Sequence, residues 1–191
     1  MQHTGQLNSR TIFGIGVNDV PDAIGSKLYT VWSSMLRRCY SEIYQKNKPS
    51  YKEFSVCEQW LKLSGFREWF IDNYLEGFEL DKDILIPTAR IYSPETCCFV
   101  PREVNSLLIA RNGKGGKLGV YYKTKNKAWC AQVQNPITKK NQYLGLFLDE
   151  HSASQAYYKA KQIILDHYAD KYNEVLPAKV TESLRKYFKE F

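Results

Sequence analysis

Leu118-Gly119-Val120-Tyr121-Tyr122-Lys123, Lys127-Ala128-Trp129-Cys130-Ala131-Gln132-Val133-Gln134-Asn135 and Asn141-Gln142-Tyr143-Leu144-Gly145-Leu146-Phe147 decide the fold. Apolar and polar residues alternate in each, which is the period of a half-buried strand. Asn126 lies in the first connection, and Pro136-Ile137-Thr138-Lys139-Lys140 forms the second. Asp149 then suits the N-cap of a long helix reaching about Tyr168, whose buried stripe is Ala153, Ala156, Tyr157, Ala160 and Ile164. Alanines on that stripe let a helix lie close against a sheet. The expected unit is three antiparallel strands packed on one helix.

Alternation sorts the strands into two faces. Val120, Tyr122, Trp129, Ala131, Val133 and Leu144 point toward the helix. Tyr121, Lys123, Cys130, Gln132, Gln134, Asn141 and Tyr143 point away from it. The second face is rich in amides, phenols and cations. Glutamine can pair bidentately with adenine edges, lysine engages guanine or phosphate, and tyrosine stacks or meets methyl groups. Lys125, Lys127, Lys139 and Lys140 add charge at the two turns.

The charge around this segment has one sign. Between Val104 and Leu148 there are eight Lys or Arg residues and no acidic residue. Residues 1–110 carry 12 basic and 13 acidic side chains, net −1, whereas residues 111–191 carry 15 and 7, net +8. Ordinary surfaces intersperse both signs, so a long basic stretch studded with aromatics is the footprint of a phosphate-backbone binder. Duplex DNA is the expected partner of a monomeric chain.

Upstream, residues 1–25 form an irregular arm. Leu28, Val31, Trp32, Met35, Leu36, Cys39 and Ile43 recur at helical steps across Lys27 to Tyr44. Val56 to Tyr74 reads as a helix, or as two short ones broken near Gly65. Glu79 to Ile86 reads as a strand, Ile91–Tyr92 begins a return, and Ser93-Pro94-Glu95 has the cap, proline and acid of a helix start. A further helix runs from Pro101 toward Ile109. Gly113, Gly115 and Gly116 among Arg111, Lys114 and Lys117 make a hinge, and Ala178–Lys189 is a last amphipathic helix. The class is therefore α+β, divided into an arm (1–25), an N-terminal region (26–110), a hinge (111–117), a sheet-and-helix domain (118–170) and a C-terminal helix (171–191).

No apolar run is long enough to span a bilayer, and the polar N-terminus is no signal peptide, so a soluble intracellular chain is expected. Five cysteines without a secretory signal read as thiols rather than a disulfide frame. Zinc is not expected. Cys39, Cys57, Cys97 and Cys98 lack the close two-residue spacing that structural zinc sites use.

Gly119-Val120-Tyr121-Tyr122, Lys127 through Val133, Tyr143-Leu144-Gly145-Leu146-Phe147 and the alanine-rich helix resemble the apetala-type (ethylene-response-factor) DNA-binding domain over about residues 117–170. The resemblance implies a sheet lying in the DNA major groove. The strand arginines of that family are replaced here by Tyr121, Lys123 and Gln134, and its third-strand tryptophan by Tyr143.

The first half resembles phage homing endonucleases of the HNH type, on Trp32 through Tyr40, Val56 through Trp60, Leu80-Asp81-Lys82-Asp83-Ile84 and Tyr92-Ser93-Pro94-Glu95-Thr96-Cys97. This resemblance implies a ββα-metal site, metal-dependent DNA nicking or cleavage, and residence in the cytoplasm of a phage-infected bacterium. Mg²⁺ or Mn²⁺ would be held by Asp81 and Glu95, because hard cations take oxygen ligands. The chain departs from the family where catalysis needs a base. Lys82 stands at the usual histidine, Thr96 at a position that often holds asparagine, and His3, His151 and His167 lie elsewhere. A lysine of ordinary pKa is a phosphate clamp rather than a base, which leaves Asp83 or a metal-bound water to do that work. A non-catalytic DNA-binding regulator or endonuclease remnant is the competing expectation.

Overall fold

The computed structural model describes residues 11–108, 112–113, 116–117 and 119–189. The chain forms two compact units, Met1–Phe99 and Val100–Phe191. The class is α+β, as expected.

In the first unit, β1 (Thr11–Ile12) and β2 (Gly16–Val17) pair antiparallel. Helix α1 (Lys27–Tyr40) begins at Ser26, whose hydroxyl accepts from the Tyr29 amide, and buries Trp32, Met35, Leu36 and Cys39. The helical pattern read through Tyr44 is interrupted at Ser41, which caps a second helix, α2 (Glu42–Asn47). Ile43 therefore leaves the buried stripe and is exposed. The one helix, or two short ones, expected over residues 56–74 is instead β3 (Ser55–Val56), a 3-10 turn and α3 (Leu63–Asn73). Gly65 does not break α3. A Cβ there would collide with the Gln59 carbonyl, so glycine permits the 3-10 turn to fold back onto the helix.

The strand expected from Glu79 to Ile86 stops early, as β4 (Phe78–Asp81). A short β5 (Ile91–Tyr92) pairs in parallel with β3, and β6 (Cys98–Pro101) pairs with β4. Ser93-Pro94-Glu95 does not start a helix. The amides of Thr96 and Cys97 both return to the Ser93 carbonyl, which closes one turn before β6 begins. Cap, proline and acid signal a helix start, but the apolar run Cys97-Cys98-Phe99-Val100 that follows has strand character and is buried throughout. Trp60, Phe66, Trp69, Phe70, Tyr74 and Phe99 form a connected aromatic core.

The second unit opens with α4 (Arg102–Leu108), so the division between units precedes the expected hinge. Of the hinge, only β7 (Asn112–Gly113) and β8 (Gly116–Lys117) are described, as an antiparallel pair. The other hinge positions lie outside the described residues, as do residues 1–10 of the N-terminal arm. Then β9 (Val120–Lys123), β10 (Ala128–Asn135) and β11 (Lys140–Phe147) form an antiparallel sheet in the order β11-β10-β9. Helix α5 (Glu150–Lys171) is capped by Asp149, which accepts from the Ser152 amide at 2.8 Å. Helix α6 (Ala178–Lys186) packs on α5. Val120, Ala131 and Ala153 are the buried centre of the sheet–helix contact, flanked by Trp129, Leu144, Phe147, Ala156 and Tyr157.

Gly119 stands where the chain enters β9 with φ +97°, and a Cβ there would strike both the Gln132 carbonyl and the Tyr157 ring. Backbone, sheet and helix meet there too closely for a side chain.

Candidate nucleic-acid interface and the Asp81 cluster

Register places the outer face of the sheet. Cys130 lies opposite Tyr121 and Leu146, Gln132 opposite Tyr143, and Gln134 opposite Asn141. A bulge between Ala131 and Gln132 absorbs the extra residue Leu144, so Tyr143 returns to the outer face while Leu144 packs inward. The side chains expected to read DNA therefore share one face. Lys123 is held between two phenols, its Nζ 5.9 Å from the Tyr121 ring and 5.8 Å from that of Tyr143, a geometry that orients the ammonium without neutralising it. Tyr143 is 58% exposed. No Asp or Glu occurs in any of the three strands.

Two expectations for this face need correction. Cys130 points outward but is fully buried, and its thiol is the first cause of the raised Tyr121 pKa. Tyr122 points to the helix side yet is 50% exposed, since it sits on the edge strand and meets only the edge of Trp129, at 5.7 Å between ring centres.

The turns carry the remaining lysines. In the β9–β10 turn Lys125 is exposed, and Lys127 has a left-handed backbone, φ 46°. In the β10–β11 turn the Asn135 carboxamide accepts from the amides of Ile137 and Thr138, and Lys139 is again left-handed, φ 56°, followed by exposed Lys140. Tight hairpins often close on such a residue, normally glycine or asparagine. Lysine there costs backbone energy. Strain of this kind clusters at working surfaces, and both lysines project charge at opposite ends of β10, which at about 3.3 Å per residue spans roughly 25 Å.

The residues expected to form a metal site lie together in the first unit, in a different arrangement. Asp81 is only 8% exposed. Its Oδ1 accepts from the amides of Asp83 at 2.8 Å and Ile84 at 3.0 Å, which closes the turn after β4. Burial, with the Asp83 charge adding to it, pushes its pKa up to about 6 against those two hydrogen bonds. Lys82 is 3% exposed; its ammonium pairs with the Asp83 carboxylate and sits 3.6 Å from the centre of the Phe54 ring. Arg90 lies near the same ring, at 5.2 Å. Glu95 is exposed and accepts from the Ser93 hydroxyl at 2.6 Å, while Thr96 donates to the Ile91 carbonyl at 2.7 Å.

Asp81 and Glu95 each already accept hydrogen bonds from the chain itself. Among the described residues no three His, Cys, Asp or Glu side chains form a group able to hold a metal ion. One Asp81 oxygen already serves the backbone. Nor is Lys82 placed as a base or as an exposed clamp, since its charge is buried against Asp83 and Phe54. Burial also pushes the Cys39 and Cys97 thiols up to about 12, so at neutral pH they are not thiolates.

Sequence reading missed the surroundings of this cluster. Phe54 carries Lys82, and Arg38 reaches inward to within 3.5 Å of the Tyr92 hydroxyl. It also missed Lys161, 5% exposed within α5. The signal was available: Lys161 follows Tyr157 by four residues and precedes Leu165 and Tyr168 by four and seven, so helical periodicity puts it on a buried face.

No protein family, curated protein or solved structure matches the chain.

Proposed function

We propose that the chain is a duplex-DNA-binding protein that docks through the outer face of its three-stranded sheet, and that it binds without cutting. One observation carries this reading. The β10 register aligns Tyr121, Lys123, Gln132, Gln134, Asn141 and Tyr143 on one acid-free face, with Lys125, Lys127, Lys139 and Lys140 at its two ends. The major groove, about 12 Å wide, admits a narrow β-sheet of this kind. In this arrangement lysines at the turns hold the backbone, while glutamines and asparagine on the strands meet base edges.

Binding without cleavage is favoured by the Asp81 cluster. A nucleolytic site needs a carboxylate free to hold a metal and a group able to take a proton. Asp81 instead closes a turn, and the buried Lys82 ammonium pairs with the half-exposed Asp83 carboxylate.

The test is titration of the full chain with labelled duplex fragments of its source genome, alongside incubation with Mg²⁺, Mn²⁺ or EDTA. Tyr143→Ala and Lys123→Ala are expected to weaken binding at least tenfold on all sequences, and Gln134→Ala to narrow the gap between preferred and random duplex. Unaltered binding in both of the first two variants would remove the sheet face as the interface. Metal-dependent nicking that disappears in Asp81→Asn would restore the cleaving reading.

A further inference from the structure

A pocket of about 600 Å³ lies in the second unit, bounded by α4, the end of β10 and α5. Its position follows from strand length. The β9 ladder ends at Ala131 opposite Val120, with one further bond from the Gln132 amide to the Gly119 carbonyl. Past that point the edge of β10 is not paired with β9, and the pocket runs around it, from the amides of Gln132, Gln134 and Asn141 to Tyr157 and Lys161 of α5.

Lys161 is the unusual wall of this pocket. It is 5% exposed, yet among the described residues it has no carboxylate or hydrogen-bond acceptor. Its ammonium rests 5.3 Å from the centre of the Tyr157 ring and 4.7 Å from that of Phe188. Two ring faces do not replace the hydration of an ammonium. A buried cation that opens on a cavity and lacks an anion is satisfied by one brought from outside. Arg102 and Glu103 also line the pocket.

The other walls narrow the class of anion. Carboxamides present paired donors and acceptors, the arrangement that reads a base edge, adenine above all. The Tyr157 ring supplies an aromatic wall. A few hundred cubic ångströms suits a ligand of nucleotide size rather than a bare inorganic ion. We propose that this pocket is a nucleotide site, with Lys161 receiving the phosphate and the carboxamides of Gln132, Gln134 and Asn141 the base. The nucleotide is either free in solution or a phosphate-bearing strand terminus. The site does not depend on the sheet being a DNA interface, because a free nucleotide can fill it alone.

The experiment is calorimetric titration of the full chain with dAMP, deoxyadenosine and inorganic phosphate, for the wild type, Lys161→Met and Gln134→Ala. The wild type is expected to bind dAMP at least tenfold more tightly than deoxyadenosine or phosphate. Lys161→Met should erase the preference for dAMP over deoxyadenosine, and Gln134→Ala should weaken both. Repetition with a saturating single-stranded oligonucleotide separates the sources: a 5′-phosphorylated strand that blocks dAMP, when its unphosphorylated counterpart does not, identifies a strand terminus, and equal blocking by both overturns the phosphate contact at Lys161. Undiminished dAMP binding beside either strand identifies a free nucleotide. Equal affinity for dAMP and deoxyadenosine, or unchanged dAMP binding in Lys161→Met, overturns the site. Loss of duplex binding in Tyr143→Ala with dAMP binding intact separates the pocket from the sheet interface.

Discussion

A buried ammonium loses hydration, so Lys161 titrates at about 8 in the folded chain against an ordinary 10.5. Between those values the unfolded chain binds more protons than the folded one, and stability rises with pH across that window. Below it the penalty is complete. Lys161→Met keeps the length of the side chain and removes the charge, so it should stabilise the apo protein at pH 7 by on the order of 1–2 kcal/mol, the desolvation relieved less the attraction of the two rings for the ammonium. That advantage should shrink toward zero near pH 10.5, as read by urea denaturation at several pH values; a gap independent of pH would assign the effect to shape. Lys82 presents the opposite case. It is equally buried, but Asp83 and Phe54 satisfy it. Lys82→Ala removes the partner of the half-exposed Asp83 and opens a hole beside Phe54, and should cost about 2–4 kcal/mol in a chemical melt. Lys82→His, which would supply a base if the cluster were a nuclease site, should lower the melting temperature and yield no metal-dependent cutting.

The two hairpin turns make the next prediction. Lys127 and Lys139 hold left-handed backbones that glycine adopts freely. Lys127→Gly and Lys139→Gly should each raise stability by roughly 0.5–1 kcal/mol, since relief of strain outweighs glycine's entropy. Each should weaken duplex binding at the same time. Opposite signs in the melt and the titration identify a residue retained for its charge, whereas a loss in both would make these lysines structural. The strands, helix α5 and the facing of most sheet residues were legible in the sequence because one side of the sheet is buried and alternation reports that directly. Tyr122 escaped because its strand is an edge, where alternation gives direction but not cover. The region around residues 79–101 was harder. Its strands are two to four residues long and pair with partners distant in sequence, β5 with β3 and β6 with β4, so local pattern carries little of their energy. The cap signal at Ser93 was real in chemistry, and its hydroxyl does meet Glu95, but the buried strand after it overrode the helix. Asp81, Lys82 and Asp83 were legible as a group of charges; that two of them would be turned inward was not, because Asp81 is held by the turn amides and Lys82 by Phe54, distant in sequence.

Across the whole molecule the charge is divided, net −1 over residues 1–110 against +8 over residues 111–191. No described helix is long and apolar enough to cross a membrane. In a duplex-binding protein, each phosphate neutralised by a lysine releases condensed counterions, so log K falls against log salt by about 0.9 per contact. Lys123, Lys125, Lys127, Lys139 and Lys140 supply five candidates, which sets an expected slope near −4.5 if all engage. The double variant Lys125→Ala/Lys127→Ala removes two of them at one end of β10 and should lower the slope to about −2.7, with the loss of affinity shared by every sequence. Gln134→Ala, which carries no charge, should leave the slope where it was and change only the ranking of sequences. Fluorescence anisotropy between about 50 and 200 mM KCl, on one preferred and one random duplex, separates the two effects. A wild-type slope near zero would mean that these lysines do not meet phosphates and that the sheet face serves another partner.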